Sequence, residues 1–212
     1  MSIYYRMPTR NAIKEYAPDS YYHIYTRGVN KRKIFMDDAD YAFFLSLLKR
    51  YLSVRPVRRP KHPPYRTFSK EITLLSFCLM PNHVHFFVLQ HNNGGAIRDF
   101  MRAVMTSYSR YFNDKYSRLG PLFQSRYLAS RVAHDSYLMH ISRYIHLNPR
   151  QWQSYPYSSI KYFQGQAFAE WFSPAPTLEL FGNSIQQYLL FLHDYKDYKN
   201  SLEMIDCALA HT

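Results

Sequence analysis

His83 and His85 stand two residues apart in Met80-Pro81-Asn82-His83-Val84-His85-Phe86-Phe87-Val88, at the head of an apolar run of strand character. Side chains alternate across a strand, so the two imidazoles take one face and Val84, Phe86 and Val88 the other. Two imidazoles side by side on a sheet are half of a divalent-metal site, and they are equally the pattern of two ordinary sheet histidines. In a later segment Tyr144 and Asn148 are four residues apart and project to one side of a helix end, with His140 one turn earlier. A phenol, an amide oxygen and a third imidazole would then share one strip. By spacing alone this strip fits core packing as well, since the chain carries 21 tyrosines.

The composition bounds what such a site can serve. With 212 residues the chain is long enough for one domain with an appendage and a sizeable core. Lys and Arg number 27 against 15 Asp and Glu, a net charge of +12 that calls for a polyanionic partner. No apolar stretch is long enough to span a bilayer and no basic-then-apolar leader opens the sequence, so a cytoplasmic nucleic-acid protein is expected rather than a membrane one. Only Cys78 and Cys207 are present, far apart, which argues against a disulfide framework or a multi-cysteine zinc site and makes Cys78 a core residue. Aromatics make up 18% and offer stacking surfaces beside the positive charge, although tyrosine is also a common filler of half-buried positions.

The elements that must position these residues alternate between strands and helices. Residues 21–27 read as a strand ended by Gly28-Val29-Asn30, and Asp37-Asp38-Ala39-Asp40 caps a helix whose apolar positions are Tyr41, Phe44, Leu45, Leu48 and Leu52. Residues 53–70 hold four prolines and six Lys or Arg and read as an extended basic loop. Residues 72–80 and 84–89 read as adjacent antiparallel strands around Pro81-Asn82. A second helix spans about 96–116, with Arg98, Arg102, Arg110 and Lys115 on its exposed side, and Gly120-Pro121 stops it. Residues 123–132 suit another strand. Asp135 or Ser136 caps a third helix that ends at Asn148-Pro149, because the residue before proline is pushed out of helical geometry. This order predicts a ferredoxin-like (RRM-like) α+β fold, an antiparallel sheet with helices packed on one face. Domain organisation is expected as 1–165, with 53–70 an insertion, followed by a C-terminal extension over 166–212 with one helix near 184–195.

Several segments, taken as an ordered set, resemble the HUH single-tyrosine transposases and within them the REP-associated tyrosine transposase branch. They are Tyr22-His23-Ile24-Tyr25-Thr26-Arg27-Gly28 with Ile34-Phe35, Cys78-Leu79-Met80-Pro81-Asn82-His83-Val84-His85, Tyr108-Ser109-Arg110-Tyr111-Phe112-Asn113, Gly120-Pro121-Leu122-Phe123-Gln124-Ser125-Arg126-Tyr127 and Tyr144-Ile145-His146-Leu147-Asn148-Pro149. Tyr155-Pro156-Tyr157-Ser158-Ser159 looks like the segment that follows that family's catalytic helix. The likeness runs over roughly residues 20–165.

The resemblance implies roles. His83 and His85 match the metal-binding pair, Asn148 the polar residue that completes a Mg²⁺ or Mn²⁺ site, and Tyr144 the nucleophile. It implies an endonuclease and strand transferase of DNA transposition and recombination that attacks single-stranded DNA at hairpin or palindromic elements. A 5′-phosphotyrosine and a free 3′-hydroxyl would result, with no nucleotide cofactor. The loop 53–70 is longer than this connection in the family pattern, and Arg55, Arg58, Arg59, Lys61 and Arg66 are expected to reach DNA phosphates there if it is more than a solvated linker. Arg126 would clasp unpaired bases and Tyr127 would stack on them, a strand-core place for Tyr127 being the alternative. The expected setting is the bacterial cytoplasm and nucleoid, and whether the chain acts as monomer or homodimer stays open. Two other readings remain: a domesticated, non-cutting DNA- or RNA-hairpin-binding protein, and a metal-dependent phosphodiesterase without a covalent intermediate.

Overall fold

A computed structural model describes residues 16–58, 61–91, 94–132 and 135–194. Strands β1 (Ser20–Arg27), β2 (Ile72–Met80), β3 (His83–Gln90) and β4 (Leu128–Val132) form one antiparallel sheet in the order β2-β3-β1-β4. Helix α1 (Asp38–Leu52) connects β1 to β2 and α2 (Ala96–Lys115) connects β3 to β4, which is the ferredoxin-like order expected from the sequence. The last strand is shorter than the run 123–132 suggested. Phe123 makes only an isolated bridge to Gly28, and regular pairing begins at Leu128.

Local chemistry sets the elements. The Asp37 carboxylate accepts the amide of Asp40 and caps α1, whose Tyr41, Phe44, Leu47, Leu48, Tyr51 and Leu52 are buried. Asp40 is itself buried and accepts Lys115, Tyr111 and Tyr116, so two acids of one helix start bind the last turn of α2. Lys115, on the exposed face as expected, is also an interhelical clamp. After β1 the chain turns at Gly28, where a Cβ would come within 2.3 Å of the Arg32 carbonyl oxygen, so only glycine fits.

The sheet has two dressed faces. Tyr22, Ile24, Phe77, Leu79, Val84, Phe86 and Val88 share a core with α1 and α2. Each fully buried aliphatic or phenyl side chain there contributes on the order of 1.5–3 kcal/mol. A register shift between Leu74 and Ser76 lets Ile72 and Leu74 join the same core as Phe77 and Leu79, which strict alternation would put on opposite faces. On the other face α3 (Asp135–Leu147) lays Leu138, Ile141 and Ile145 against Leu75, Cys78, Phe87 and Val132. The expectation of helices on one face thus holds for α1 and α2. α3 crosses the other face, because its apolar stripe matches the second row of the strands, which hydropathy runs alone do not apportion. Which of Asp135 and Ser136 caps α3 lies outside the described side chains. Cys78 is a buried free thiol, as expected, and Cys207 lies outside the described residues.

The rear of α3 is polar yet buried. Among the described residues three short helices follow, α4 (Ile160–Phe163), α5 (Ala175–Glu179) and α6 (Ile185–His193), and Phe163, Phe172, Phe181, Tyr188 and Leu192 pack into the α1/α2 core cluster. Arg143 is fully buried, donates to the carbonyls of Phe191 and Asp194 at 3.2 and 3.4 Å, and lies 4.1 Å from the Phe191 ring centre. A cation at the C-terminal end of α6 meets the negative end of that helix. His146 sits between the Tyr188 hydroxyl at 2.6 Å and Ser159 Oγ at 2.7 Å, and Ser159 Oγ also accepts the Phe77 amide of β2. These contacts fix the rotation of α3 about its axis.

Burial lowers the His146 pKa to about 3. Between that value and the ordinary 6.5 the unfolded chain binds more protons than the folded one, so stability is full above about pH 6.5 and is lost as pH falls. The urea midpoint is expected to drop from neutral pH to about pH 4.5, with His146 contributing on the order of 2 kcal/mol. A flat midpoint across that window, or the same slope in His146→Gln, would contradict the assignment.

Candidate active site

The register brings the two imidazoles together with β1. Tyr25 pairs with His85 and Arg27 with His83, and on the other side Cys78 and Met80 pair with the same histidines. The His83 and His85 ring centres are 5.0 Å apart at 89°, and the Tyr25 ring lies 5.7 and 4.8 Å from them. Each Nδ1 is held from behind. His83 Nδ1 is 2.6 Å from Asn82 Oδ1, and His85 Nδ1 is 3.0 Å from His23 Nε2. Both Nε2 atoms therefore face away from these partners, and they converge on one side chain: Asn148 Oδ1 lies 3.1 Å from His83 Nε2 and Asn148 Nδ2 lies 3.4 Å from His85 Nε2. The Tyr144 ring stands edge-on to His85 at 5.3 Å and to His23 at 5.9 Å.

Helix geometry explains what the strip on α3 does. Tyr144 and Asn148 reach the histidines because α3 is pinned from behind by Arg143 and His146. His140, expected on the same side, turns away instead, with Nδ1 3.0 Å from Arg143 Nη2 and its ring 5.8 Å from that of Phe191. At ~100° per residue a four-residue step overshoots a turn by ~40°, so two steps carry His140 about 80° from Asn148. The third imidazole of the site is His23, buried and stacked on His85 at 5.2 Å and 12°. Its signal was available in the alternation of His23, Tyr25 and Arg27 along β1, which puts all three on one face once β1 pairs with β3.

Electrostatics favour neutral imidazoles. Burial lowers His23 and His83 to about 4 and His85 well below its ordinary value, and Arg27 adds to the shift of the pair. Neutral rings present the lone pairs a cation needs. Among the described residues no group of three or more His, Cys, Asp or Glu is arranged to hold a metal. The donor set here is different: two imidazole Nε2 atoms and one amide oxygen, with both Nδ1 atoms held by a second ring of polar partners. That set fits a divalent ion with open positions for phosphate oxygens, and amide rotation of Asn148 would present its oxygen to the same point. Arg27, half-buried beside His83, holds its guanidinium 5.3 Å over the Tyr25 ring and its Nε has no hydrogen-bond partner among the described residues. It is the nearest cation to the pair in register, and the motif alone did not mark it out.

The other expected contacts are scattered. Arg55, Arg58 and Lys61 are exposed, and Arg59 lies outside the described residues. Arg66 is exposed but internally engaged, pairing with Glu71 at 3.1 Å and Asp99 at 3.3 Å. Their loop precedes Ile72, which pairs with Gln90, so it leaves the sheet at the end opposite His83. Arg126 is exposed on a cleft of about 570 Å³ shared with Arg98 and Arg102. Tyr127 is buried, its hydroxyl accepting that of Tyr16 at 2.8 Å, so the core alternative holds and base stacking by this ring is ruled out in this arrangement. No helix among the described residues is long and apolar enough to cross a membrane.

Comparison with known proteins follows the same line as the motifs. A family model described as "Transposase IS200 like" covers β2, the His pair, α2, β4 and α3 as far as Asn148. Residues 66–148 match the IS200-like transposases. A solved structure of a REP-associated tyrosine transposase bound to a REP hairpin superposes on the chain with a TM-score of 0.51. It is 15% identical, with 82% of this chain and 92% of that one covered, and at this identity the likeness is one of fold. Comparison with curated protein sequences finds no match. The transposase-matching region thus contains every residue of the His83, His85, Tyr144 and Asn148 constellation, and β1, which supplies His23, Tyr25 and Arg27, lies before it.

Proposed function

We propose that the protein is a DNA strand transferase of the single-tyrosine HUH type, cutting and rejoining single-stranded DNA beside hairpin or palindromic elements. The observation that carries this reading is the convergence of both imidazole Nε2 atoms on Asn148, one helical turn from a phenol that stands against the same histidine. His83, His85 and Asn148 would hold Mg²⁺ or Mn²⁺, which when bound polarises the scissile phosphate and offsets charge developing in the transition state. Tyr144 Oη attacks phosphorus, forming a phenol ester to the 5′-phosphate while the bond to the 3′-oxygen breaks, and the phenolic proton is lost as the 3′-hydroxyl gains one. The bond energy is retained, so attack by another 3′-hydroxyl reverses the step. Arg27 is placed to attract the phosphate, and Asn82 and His23 keep the ligating rings in their tautomers and orientations.

The test is a trap for the ester. Protein incubated with Mn²⁺ and single-stranded DNA bearing a palindromic hairpin should give a covalent adduct on a denaturing gel, and peptide mapping should place the nucleotide on the fragment holding Tyr144. Hairpin binding without cutting would favour the domesticated binder. Cutting without an adduct would favour direct attack by water.

The basic loop has a separable role. Some eight strand residues, ~25 Å of β2, lie between it and the His pair, so its cations suit the backbone of the hairpin rather than the scissile phosphate. Replacing Arg55, Arg58 and Lys61 with alanine should weaken hairpin binding and flatten its salt dependence by roughly one unit of slope for each duplex phosphate that the loop no longer neutralises. The cut position should not move. An unchanged plot of log affinity against log salt would place the loop off the DNA.

A further inference from the structure

A second basic run lies at the other end of the sheet, where the reaction would occur. Lys31, Arg32 and Lys33 follow the turn after β1 and are exposed. The turn is tied to the candidate site: Asn82, whose Oδ1 holds His83, donates its Nδ2 to the Lys31 carbonyl at 3.1 Å, and the Gly28 amide donates to the Asn82 carbonyl at 2.9 Å. Beside it opens a cleft of about 390 Å³ lined by Arg32, Lys33, Met36, Phe112, Tyr116 and Arg118. Its volume lies within the ~300–1,000 Å³ range of small-ligand sites. Among the described residues no carboxylate lines it, and the nearby Asp37 is neutralised by Lys115 at 2.8 Å. The other basic cleft is poorer in available charge, since Arg98 and Arg102 both pair with Asp99.

The lining combines what an unstacked nucleotide needs. Met36 is 57% exposed and, with the half-buried Tyr116 ring, provides apolar surface for a base above the buried Phe112 ring. Arg118 projects over the Phe112 ring at 5.7 Å, and Arg32 and Lys33 line the same cleft and supply charge for the phosphates. From Arg27 beside His83 through Lys31 to this cleft, cations mark a path around the end of the sheet. Resting on the strand-transferase function, we propose that the cleft seats one unpaired nucleotide of the strand flanking the scissile phosphate, and so fixes where that strand lies in the site.

The experiment reads binding, not cutting, with chelator present. A labelled hairpin-free thymidine oligonucleotide and a blunt-ended DNA hairpin are titrated against wild type, the triple variant Arg32→Ala/Lys33→Ala/Arg118→Ala and the single variant Met36→Glu, whose exposed position leaves folding intact. Both variants should bind the oligonucleotide about tenfold more weakly, with the salt slope of the triple variant smaller by roughly 2 units, while hairpin affinity stays within about twofold. Photocrosslinking of a 4-thiothymidine oligonucleotide to wild type should label peptides from 29–36 or 112–118. Unchanged oligonucleotide affinity in Met36→Glu, an equal loss on the blunt hairpin, or crosslinks confined elsewhere would overturn the cleft. Should wild type cut DNA while any of these results holds, only the cleft falls; should wild type bind no single strand at all, the strand-transferase function falls with it.

Discussion

Tyr144→Phe is expected to bind hairpin DNA and Mn²⁺ as wild type does, to form no adduct, and to lose strand cleavage by roughly 10⁴-fold or more. The substitution keeps the ring that packs edge-on against His85 and His23 and deletes only the attacking oxygen. A free phenol with a pKa near 10 is a poor nucleophile at neutral pH, so the reaction depends on this one oxygen being placed beside cationic partners. Three described tyrosines show why a neighbour is a poor substitute. Tyr25, although it touches both histidines, is pushed above its ordinary pKa by burial, and Tyr127 and Tyr155 are shifted the same way and bonded to the Tyr16 hydroxyl and the Leu79 carbonyl. Cleavage by Tyr144→Phe at the wild-type rate, or an adduct mapped to another tyrosine, would remove Tyr144 from the role.

Much of the scaffold is legible in the sequence. Strand alternation puts His83 and His85 on one face and Val84, Phe86 and Val88 on the other, and the structure has that arrangement because β3 is an inner strand with a core on each side. Helix spacing finds most of the inward face of α1, with Leu45 only half-buried and Leu47 buried beside it, and Pro149 marks the stop of α3. What escapes it is relational. His23 and Arg27 become site residues only through the pairing of β1 with β3, a pairing across some sixty residues that no local pattern encodes. His140 is drawn in by a four-residue spacing that drifts around a real helix, and Arg143, three residues on, holds it away from the site.

The charge pattern misleads in a similar way. Density draws attention to 53–70, yet that segment leaves the sheet at the end away from the histidines. The shorter run Lys31-Arg32-Lys33 lies beside them because the turn after β1 is bonded to Asn82. Proximity to chemistry comes from the hydrogen bonds of a turn, which a count of charges does not see. The exposed side foreseen for α2 holds, since Arg98, Arg102, Arg110 and Lys115 are all exposed; what charge alone does not show is that Lys115 also spans to Asp37 and Asp40 and serves the fold.

Removing either imidazole should separate metal from DNA. His83→Ala and His85→Ala are each expected to lose metal-dependent cleavage by ~10³-fold or more, because the interaction deleted is made with the charge developing in the transition state. Hairpin affinity in chelator should stay near wild type, since it arises from phosphate contacts elsewhere. Calorimetric titration with Mn²⁺ supplies the second readout. Affinity should fall below detection in both variants, whereas His23→Ala, which deletes the partner of His85 Nδ1 and a ring stacked on His85 but no ligand, should weaken it by about 10–100-fold. His23→Gln offers an amide oxygen to the same Nδ1–H and should recover part of that loss, an outcome that simple damage to packing would not give. If His85→Ala melts with the unfolded chain the histidine is structural, and His83→Ala, nearer the surface at the strand end, then decides alone: wild-type Mn²⁺ affinity in that variant would leave the pair without a metal to hold.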